Sequence, residues 1–91
     1  MAWTWDPAKA AINLRKHGIP FTVAALALND PLSLSVPDPH PDGDRWKVLC
    51  QISRRILLVV TAISDDEDRK GRIISARKAT PRERSRYDER R

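Results

Sequence analysis

The chain has 91 residues, of which 41% are hydrophobic and 32% are charged. This length supports one hydrophobic core and excludes a second, so we expect a single domain over residues 1–91. The lone Cys50 excludes an internal disulfide, and the longest apolar run, residues 56–63, is far shorter than the roughly 20 residues of a membrane span. Because no signal-peptide pattern begins the chain, we expect a cytoplasmic protein without membrane contact.

The net charge of +5 is concentrated at the C-terminus. Residues 72–91 contain eight Lys or Arg and three Asp or Glu, whereas residues 1–71 contain nine of each sign. A neutral body with a cationic C-terminal segment is typical of proteins that bind a polyanion or an acidic protein partner.

The N-terminal part predicts a short extended segment, residues 3–5, followed by a helix. Asp6 and Pro7 provide an N-cap and a proline at the first helical position, and the helix over residues 8–17 ends at Gly18. Five polar side chains fall on one stripe of this helix: Asp6, Lys9, Asn13, Lys16 and His17. Such a stripe is either an ordinary solvated face or a binding surface.

A second helix and a sheet should follow. Pro20 opens the helix over residues 21–28, which is apolar nearly all round and should be buried. Hydrophobic patterns then predict four strands, over residues 32–36, 45–52, 55–63 and 72–77. The loops between them are residues 37–44, a very short turn at Ser53-Arg54 and the charged stretch 64–71.

The last element is a basic helix from Pro81 to about Arg90. Thr80, Pro81 and Glu83 form a capping-box pattern with proline at the first helical position. The helix has no apolar face, so it either docks through Tyr87 or frays until a partner holds it. The sequence therefore predicts an α+β fold, with two N-terminal helices on one face of a four-stranded antiparallel sheet and the basic helix at its edge.

Side chains suited to phosphate binding and proton transfer occur near the ends of the elements. The first group is Arg77 on the last strand with Glu83, Arg84 and Tyr87 on the final helix, and the second is Lys16 and His17 at the end of the first helix. Metal-free RNA cleavage needs a base for the ribose 2′-OH, a cation for the phosphate and an acid for the leaving 5′-oxygen. Glycine-rich phosphate loops and metal-ligand spacings are missing from the sequence, so we expect no cofactor and no metal; the acidic run 65–68 is best interpreted as a solvated loop.

Each candidate also has a purely structural interpretation. Glu83 is the reciprocal partner in a capping box, Tyr87 is the simplest anchor for a polar helix, and His17 suits a helix end. The three tryptophans could stack on bases but more often fill a core. Spacing alone thus indicates a basic nucleic-acid-binding module.

The two ends of the chain resemble the signatures of the BrnT family of bacterial toxins. The N-terminal signature is Trp5-Asp6-Pro7-Ala8-Lys9 with Asn13, Lys16-His17-Gly18 and Phe21. The C-terminal signature is Arg72-Ile73-Ile74-Ser75-Ala76-Arg77-Lys78-Ala79 with Glu83-Arg84 and Tyr87. The resemblance implies a RelE-like ribonuclease toxin that cleaves RNA without metal and inhibits translation.

The same resemblance implies a partner and a site. The partner is a BrnA-like antitoxin, in a heterotetramer of two toxins and two antitoxins, and the substrate is mRNA, either free or on the ribosome. The catalytic or RNA-contacting candidates are Arg77, Glu83, Arg84 and Tyr87, with Lys9, Lys16, His17 and Lys78 in second rank. Two alternatives stay open: a non-enzymatic nucleic-acid-binding module, and a regulatory subunit whose basic helix docks into an acidic protein.

Overall fold

One mixed sheet of five strands is seen in the computed structural model, which describes residues 3–39, 44–63 and 71–89. The strands are β1 (Trp3–Thr4), β2 (Leu34–Asp38), β3 (Arg45–Ile52), β4 (Arg55–Ile63) and β5 (Gly71–Lys78). Their order is β1-β5-β4-β3-β2, and each pair is antiparallel except β1 with β5. The α+β class is confirmed, but the expected four-stranded antiparallel sheet is wrong in one respect, since β1 adds a fifth and parallel strand.

The contact between β1 and β5 depends on a glycine. Trp3 pairs with Gly71 and Thr4 with Arg72, and a Cβ at Gly71 would lie 2.3 Å from the Trp3 ring. The indole therefore crosses β5 at the position without a side chain. A two-residue strand has no hydrophobic period, which is why sequence patterns predict only an extended segment there.

Two helices cover one face of the sheet, as the sequence predicts. They are α1 (Pro7–His17), capped by a 2.8 Å hydrogen bond from the Ala8 N–H to the Asp6 carboxylate, and α2 (Phe21–Ala27). Gly18 ends α1 with a left-handed φ of 74°. The core beneath the helices consists of Ile19, Phe21, Ala24, Ala27, Val48, Cys50, Leu57, Val59, Ile73 and Ala76.

The third helix, α3 (Pro81–Asp88), lies on the opposite face of the sheet, which we call the α3 face. Its Tyr87 packs with Leu49, Ile56 and Leu58 from β3 and β4. The expected position at the sheet edge is therefore wrong. The aliphatic strand β4 is covered on both faces, as its sequence predicts, because alternate residues enter the two apolar clusters.

The β3–β4 hairpin closes through the two-residue turn that the sequence predicts. Ile52 pairs with Arg55, and Ser53 in the turn adopts a φ of 55°. A positive φ matches the twist of a tight hairpin but costs a residue other than glycine roughly 1 kcal/mol. Of the expected loops, residues 40–43 and 64–70 lie outside the described residues, and so does the acidic run 65–68.

Candidate nucleic-acid interface

Helix α3 begins with the capping box that the sequence predicts. The Thr80 hydroxyl accepts a hydrogen bond from the Glu83 N–H at 3.2 Å, and the Glu83 carboxylate accepts one from the Thr80 N–H at 2.8 Å. Pro81 occupies the first helical position, where its missing N–H leaves no bond unmade. The Glu83 carboxylate is thereby fixed at the junction between β5 and α3.

The guanidinium of Arg77 binds this carboxylate through two parallel hydrogen bonds. Nη1 donates to Oε1 at 2.7 Å and Nη2 donates to Oε2 at 3.0 Å, while the Arg77 side chain remains 36% exposed. Nη1 also donates to the carbonyl oxygen of Lys78 at 3.2 Å. Paired forks of this kind fix the orientation of the guanidinium as well as its position. The structure thus brings together Arg77 and Glu83, two of the four first-rank candidates.

The ion pair limits the chemistry available to Glu83. The hydrogen bond from Arg77 is the main reason that the pKa of the Glu83 carboxyl falls from 4.5 to about 2; burial opposes the shift, and the backbone hydrogen bond of Thr80 adds to it. A general base works best with a pKa near the operating pH. Glu83 is therefore poorly suited to remove a proton from ribose, and its contacts favour a role in positioning Arg77.

This pair should make the stability of the protein depend on pH in the acid range. Because the folded-state pKa of Glu83 lies below 4.5, its ionised form stabilises the native state fully above that pH and loses this contribution as the pH falls toward about 2. Urea unfolding at several pH values should show a decline in the free energy of unfolding across this window. The decline should be smaller in Glu83→Gln, and identical pH dependence of the two proteins would refute the pairing.

Tyr87 does not lie on an accessible surface beside the ion pair. Its side chain is 1% exposed, and its hydroxyl donates a 2.5 Å hydrogen bond to Oδ2 of Asp30 and lies 3.4 Å from Oε1 of Gln51. This corrects the expectation that the phenol is available to a base or phosphate of RNA. The structural interpretation, in which Tyr87 anchors the polar helix, is the one that the burial confirms.

Three of the second-rank candidates border a cleft of about 220 Å³ between α1 and β5. We call it the α1 cleft, and its lining residues are Lys9, Ile12, Asn13, Lys16, His17, Ile74 and Ser75. Lys9 and Lys16 are exposed and His17 is half-buried. Two ammonium groups and an imidazole therefore surround one opening.

Within the polar stripe of α1, Asn13 has a structural role. It is 6% exposed, and its Nδ2 donates to the carbonyl oxygens of Ala76 at 2.9 Å and Ile19 at 3.2 Å. Its Oδ1 accepts the N–H of Ala76 at 3.2 Å. The amide therefore replaces a neighbouring strand along β5 and holds α1 against the sheet.

Strand β5 connects the α1 cleft to Arg77. Ser75 and Arg77 lie on the same face, because Ala76 between them enters the core beneath the helices. The register of β5 against β4 shifts by one residue upstream of Ser75, and both Ile74 and Ser75 line the cleft. Two residues of an extended strand span about 7 Å, so the backbone of Arg77 lies about that far from the cleft residue Ser75, while its guanidinium points to Glu83 on the α3 face.

Comparison with known proteins decides the family. The sequence matches the family described as the ribonuclease toxin BrnT of type II toxin–antitoxin systems over residues 5–83. This chain belongs to the BrnT family. The matched region includes α1, the whole sheet after β1, and the Arg77–Glu83 pair.

A solved BrnT structure has the same fold. The ribonuclease toxin BrnT of Brucella abortus, determined at 1.1 Å resolution, is similar with a TM-score of 0.69 and 23% sequence identity. The match covers 88% of this chain and 99% of the Brucella chain. A search of curated proteins found no significant match.

The remaining two candidates of this BrnT-family chain, Lys78 and Arg84, lie in a different place. They line a second cleft together with Arg54 and Arg55, which sequence reasoning did not select. The signal was visible as two adjacent arginines at the tight turn of a hairpin. What the sequence could not show is that this turn meets the junction between β5 and α3.

Other reactive groups contribute little to the interface. Cys50 is fully buried, and burial, aided by the charge of Asp30, raises the pKa of its thiol to about 12, so the thiol stays protonated and unreactive at neutral pH. Within residues 3–39, 44–63 and 71–89, no three His, Cys, Asp or Glu side chains are grouped as metal ligands. No helix in those ranges is long and apolar enough to cross a membrane.

Proposed function

We propose that this BrnT-family protein is a metal-independent endoribonuclease that stops translation by cutting mRNA. The family is one of ribonuclease toxins, which supports RNA as the substrate. The observation that supports the site is the position of Arg77, which Glu83 orients on the α3 face, two residues along β5 from Ser75 of the α1 cleft. The imidazole and the two ammonium groups of α1 thus border the same strand that carries Arg77.

Arg77 is suited to bind the scissile phosphate even while it is paired. A guanidinium has five N–H groups. Glu83 accepts one from each Nη, and the carbonyl of Lys78 accepts a second from Nη1. The two that remain, on Nε and Nη2, lie parallel along one edge, and no described residue accepts a hydrogen bond from them. This edge matches two oxygens of a phosphodiester and would stabilise the charge that develops during attack.

Proton transfer is assigned to His17 in the α1 cleft. Imidazole is the side chain that most readily accepts and donates protons at neutral pH, and it would take the proton of the ribose 2′-OH. The oxygen then attacks phosphorus, the bond to the 5′-oxygen breaks, and that oxygen receives a proton from solvent water, to which His17 returns its own, which leaves a 2′,3′-cyclic phosphate. Lys9 and Lys16 add positive charge beside the substrate.

Toxins of type II systems are neutralised by a protein antitoxin, and we propose a BrnA-like protein as the antitoxin of this chain. The cationic segment of residues 72–91 would suit an acidic part of that partner. We further propose a complex of two toxins and two antitoxins in the cytoplasm. Co-purification with the product of the adjacent gene, and the mass of the complex in solution, test this assignment.

The purified protein should cut RNA in the presence of EDTA and inhibit a cell-free translation reaction. The new 3′ ends should be 2′,3′-cyclic phosphates, because the nucleophile is the neighbouring hydroxyl, and RNA with 2′-O-methyl groups should resist cleavage. Mass spectrometry of the products provides the measurement. Dependence on added Mg²⁺ would reject metal independence, whereas RNA binding without products would support the non-enzymatic nucleic-acid-binding module.

The same assay separates the role of His17 from that of the lysines. His17→Gln keeps a polar side chain but cannot accept a proton, so the limb of the pH–rate profile that reports the base should disappear. Lys16→Gln should weaken substrate binding and leave the shape of the profile unchanged. A normal profile in His17→Gln would assign proton transfer to another group.

A further inference from the structure

The second cleft contains a concentration of positive charge that the catalytic proposal does not use. It has a volume of about 200 Å³ and is lined by Arg54, Arg55, Ile56, Lys78, Ala79 and Arg84. We call it the hairpin cleft. Its four cationic side chains are exposed, and no acidic side chain is among the lining residues.

Among the residues that the structure describes, these cations have no side-chain partner, unlike Arg77. Within the described part of the chain, no side-chain hydrogen bond or salt bridge involves Arg54, Arg55, Lys78 or Arg84, whereas Arg77 is held by Glu83. Like charges at one opening repel each other, and a bound anion would relieve that repulsion. The hairpin cleft therefore has a net positive charge that favours the binding of an anion.

The walls of the hairpin cleft are fixed by the backbone. The N–H of Ala79 donates to the carbonyl oxygen of Ile56 at 2.9 Å, which joins the start of β4 to the β5–α3 junction. Within the turn, the Gln51 side chain donates to the carbonyl oxygen of Ser53 at 3.1 Å. Ligand binding would therefore order the side chains only, which keeps its entropic cost low.

We propose that the hairpin cleft binds a phosphate of the RNA backbone outside the scissile linkage. Lys78 and Arg84 directly follow Arg77 and Glu83 in the chain, so this opening adjoins the Arg77–Glu83 pair, and an RNA strand whose scissile phosphate lies at Arg77 would extend toward it. Arginine forks bind phosphate oxygens in pairs, and an unpaired cationic cleft suits a uniformly charged backbone better than a mixed protein surface. The proposal rests on RNA being the substrate and extends its binding site beyond the catalytic groups.

The test measures equilibrium binding of a 2′-O-methyl RNA oligonucleotide, which cannot be cut, over a range of salt concentrations. The triple variant Arg54→Ala/Arg55→Ala/Arg84→Ala should bind about tenfold more weakly at moderate salt, as expected for losing a charge-assisted contact. The slope of log affinity against log salt should shrink by about 0.7 for each phosphate released. Arg86→Ala, on the same helix and exposed but outside the cleft, should change neither quantity.

Several outcomes would overturn the proposal. They are unchanged RNA affinity in the triple variant, equal losses in Arg86→Ala, and intact RNA binding with loss of antitoxin binding, which would assign the cleft to a protein partner. Thermal unfolding verifies that the variants are folded, and Arg84→Lys verifies that charge is the cause if it retains most of the affinity. The oligonucleotide cannot be cleaved, so this binding measurement does not depend on nuclease activity. It can therefore support or overturn the hairpin cleft even if the protein does not cut RNA.

Discussion

Replacing Arg77 with alanine should reduce RNA cleavage by about 10²–10³-fold, the usual effect of removing a donor to a developing negative charge. The loss should appear in the rate of the chemical step more than in substrate affinity, because other cations still bind the backbone. Single-turnover cleavage at saturating protein, with affinity measured on a 2′-O-methyl RNA, separates the two quantities. Arg72→Ala is the matched control, since Arg72 is an exposed arginine on the same strand.

Two further variants distinguish the paired N–H groups of Arg77 from its positive charge. Arg77→Lys keeps one positive charge but lacks the paired N–H groups, so activity should recover only partly. Glu83→Gln removes the orienting carboxylate and leaves the guanidinium in place, so it should cost less than Arg77→Ala. If Glu83→Gln abolished cleavage with the fold intact, Glu83 itself would have to be assigned as the base despite its low pKa. Wild-type activity in Arg77→Ala would remove the site that we propose.

What the sequence predicted correctly depended on local interactions. Three helix signals involve residues within a few positions of one another and can therefore be recognised in the sequence. They are the N-cap at Asp6, the terminator Gly18 and the capping box of Thr80 and Glu83. The two-residue turn at Ser53 is equally local. The bounds of α1, the start of α3 and the β3–β4 turn follow from these signals.

One error is local, since the strand predicted over residues 32–36 is observed as Leu34–Asp38; the others concern contacts that form only in the folded chain. Pairing of β1 with β5 joins Trp3 to Gly71, and the register shift in β5 has no pattern in the sequence. The face occupied by α3 is decided by one tyrosine that meets Asp30, which is 57 positions away. Arg77 and Glu83, six positions apart, were predicted as site residues, but their bidentate pair was not, because it forms only when α3 turns back at the end of β5.

Tyr87→Ala should lower the free energy of unfolding by about 3–5 kcal/mol, as for other buried aromatic side chains. That is a large part of the roughly 5–15 kcal/mol by which small domains are stable. Besides the lost apolar contacts with β3 and β4, the change leaves the Asp30 carboxylate without its phenol donor. Urea unfolding measures the loss, and Arg86→Ala at an exposed position of the same helix should be close to neutral.

Tyr87→Phe separates anchoring from chemistry. It keeps the ring and removes only the hydroxyl, so the loss should be about 1.5–3 kcal/mol, the range for a hydrogen bond to a charged group. Asp30 retains the backbone N–H groups of Leu32 and Gln51, both at 2.9 Å, which moderates the effect. Under conditions where the variant is folded, cleavage per molecule should equal that of the wild type, because the phenol does not reach the surface. A folded Tyr87→Phe protein that cannot cut RNA would return Tyr87 to the catalytic set and require α3 to move when RNA binds.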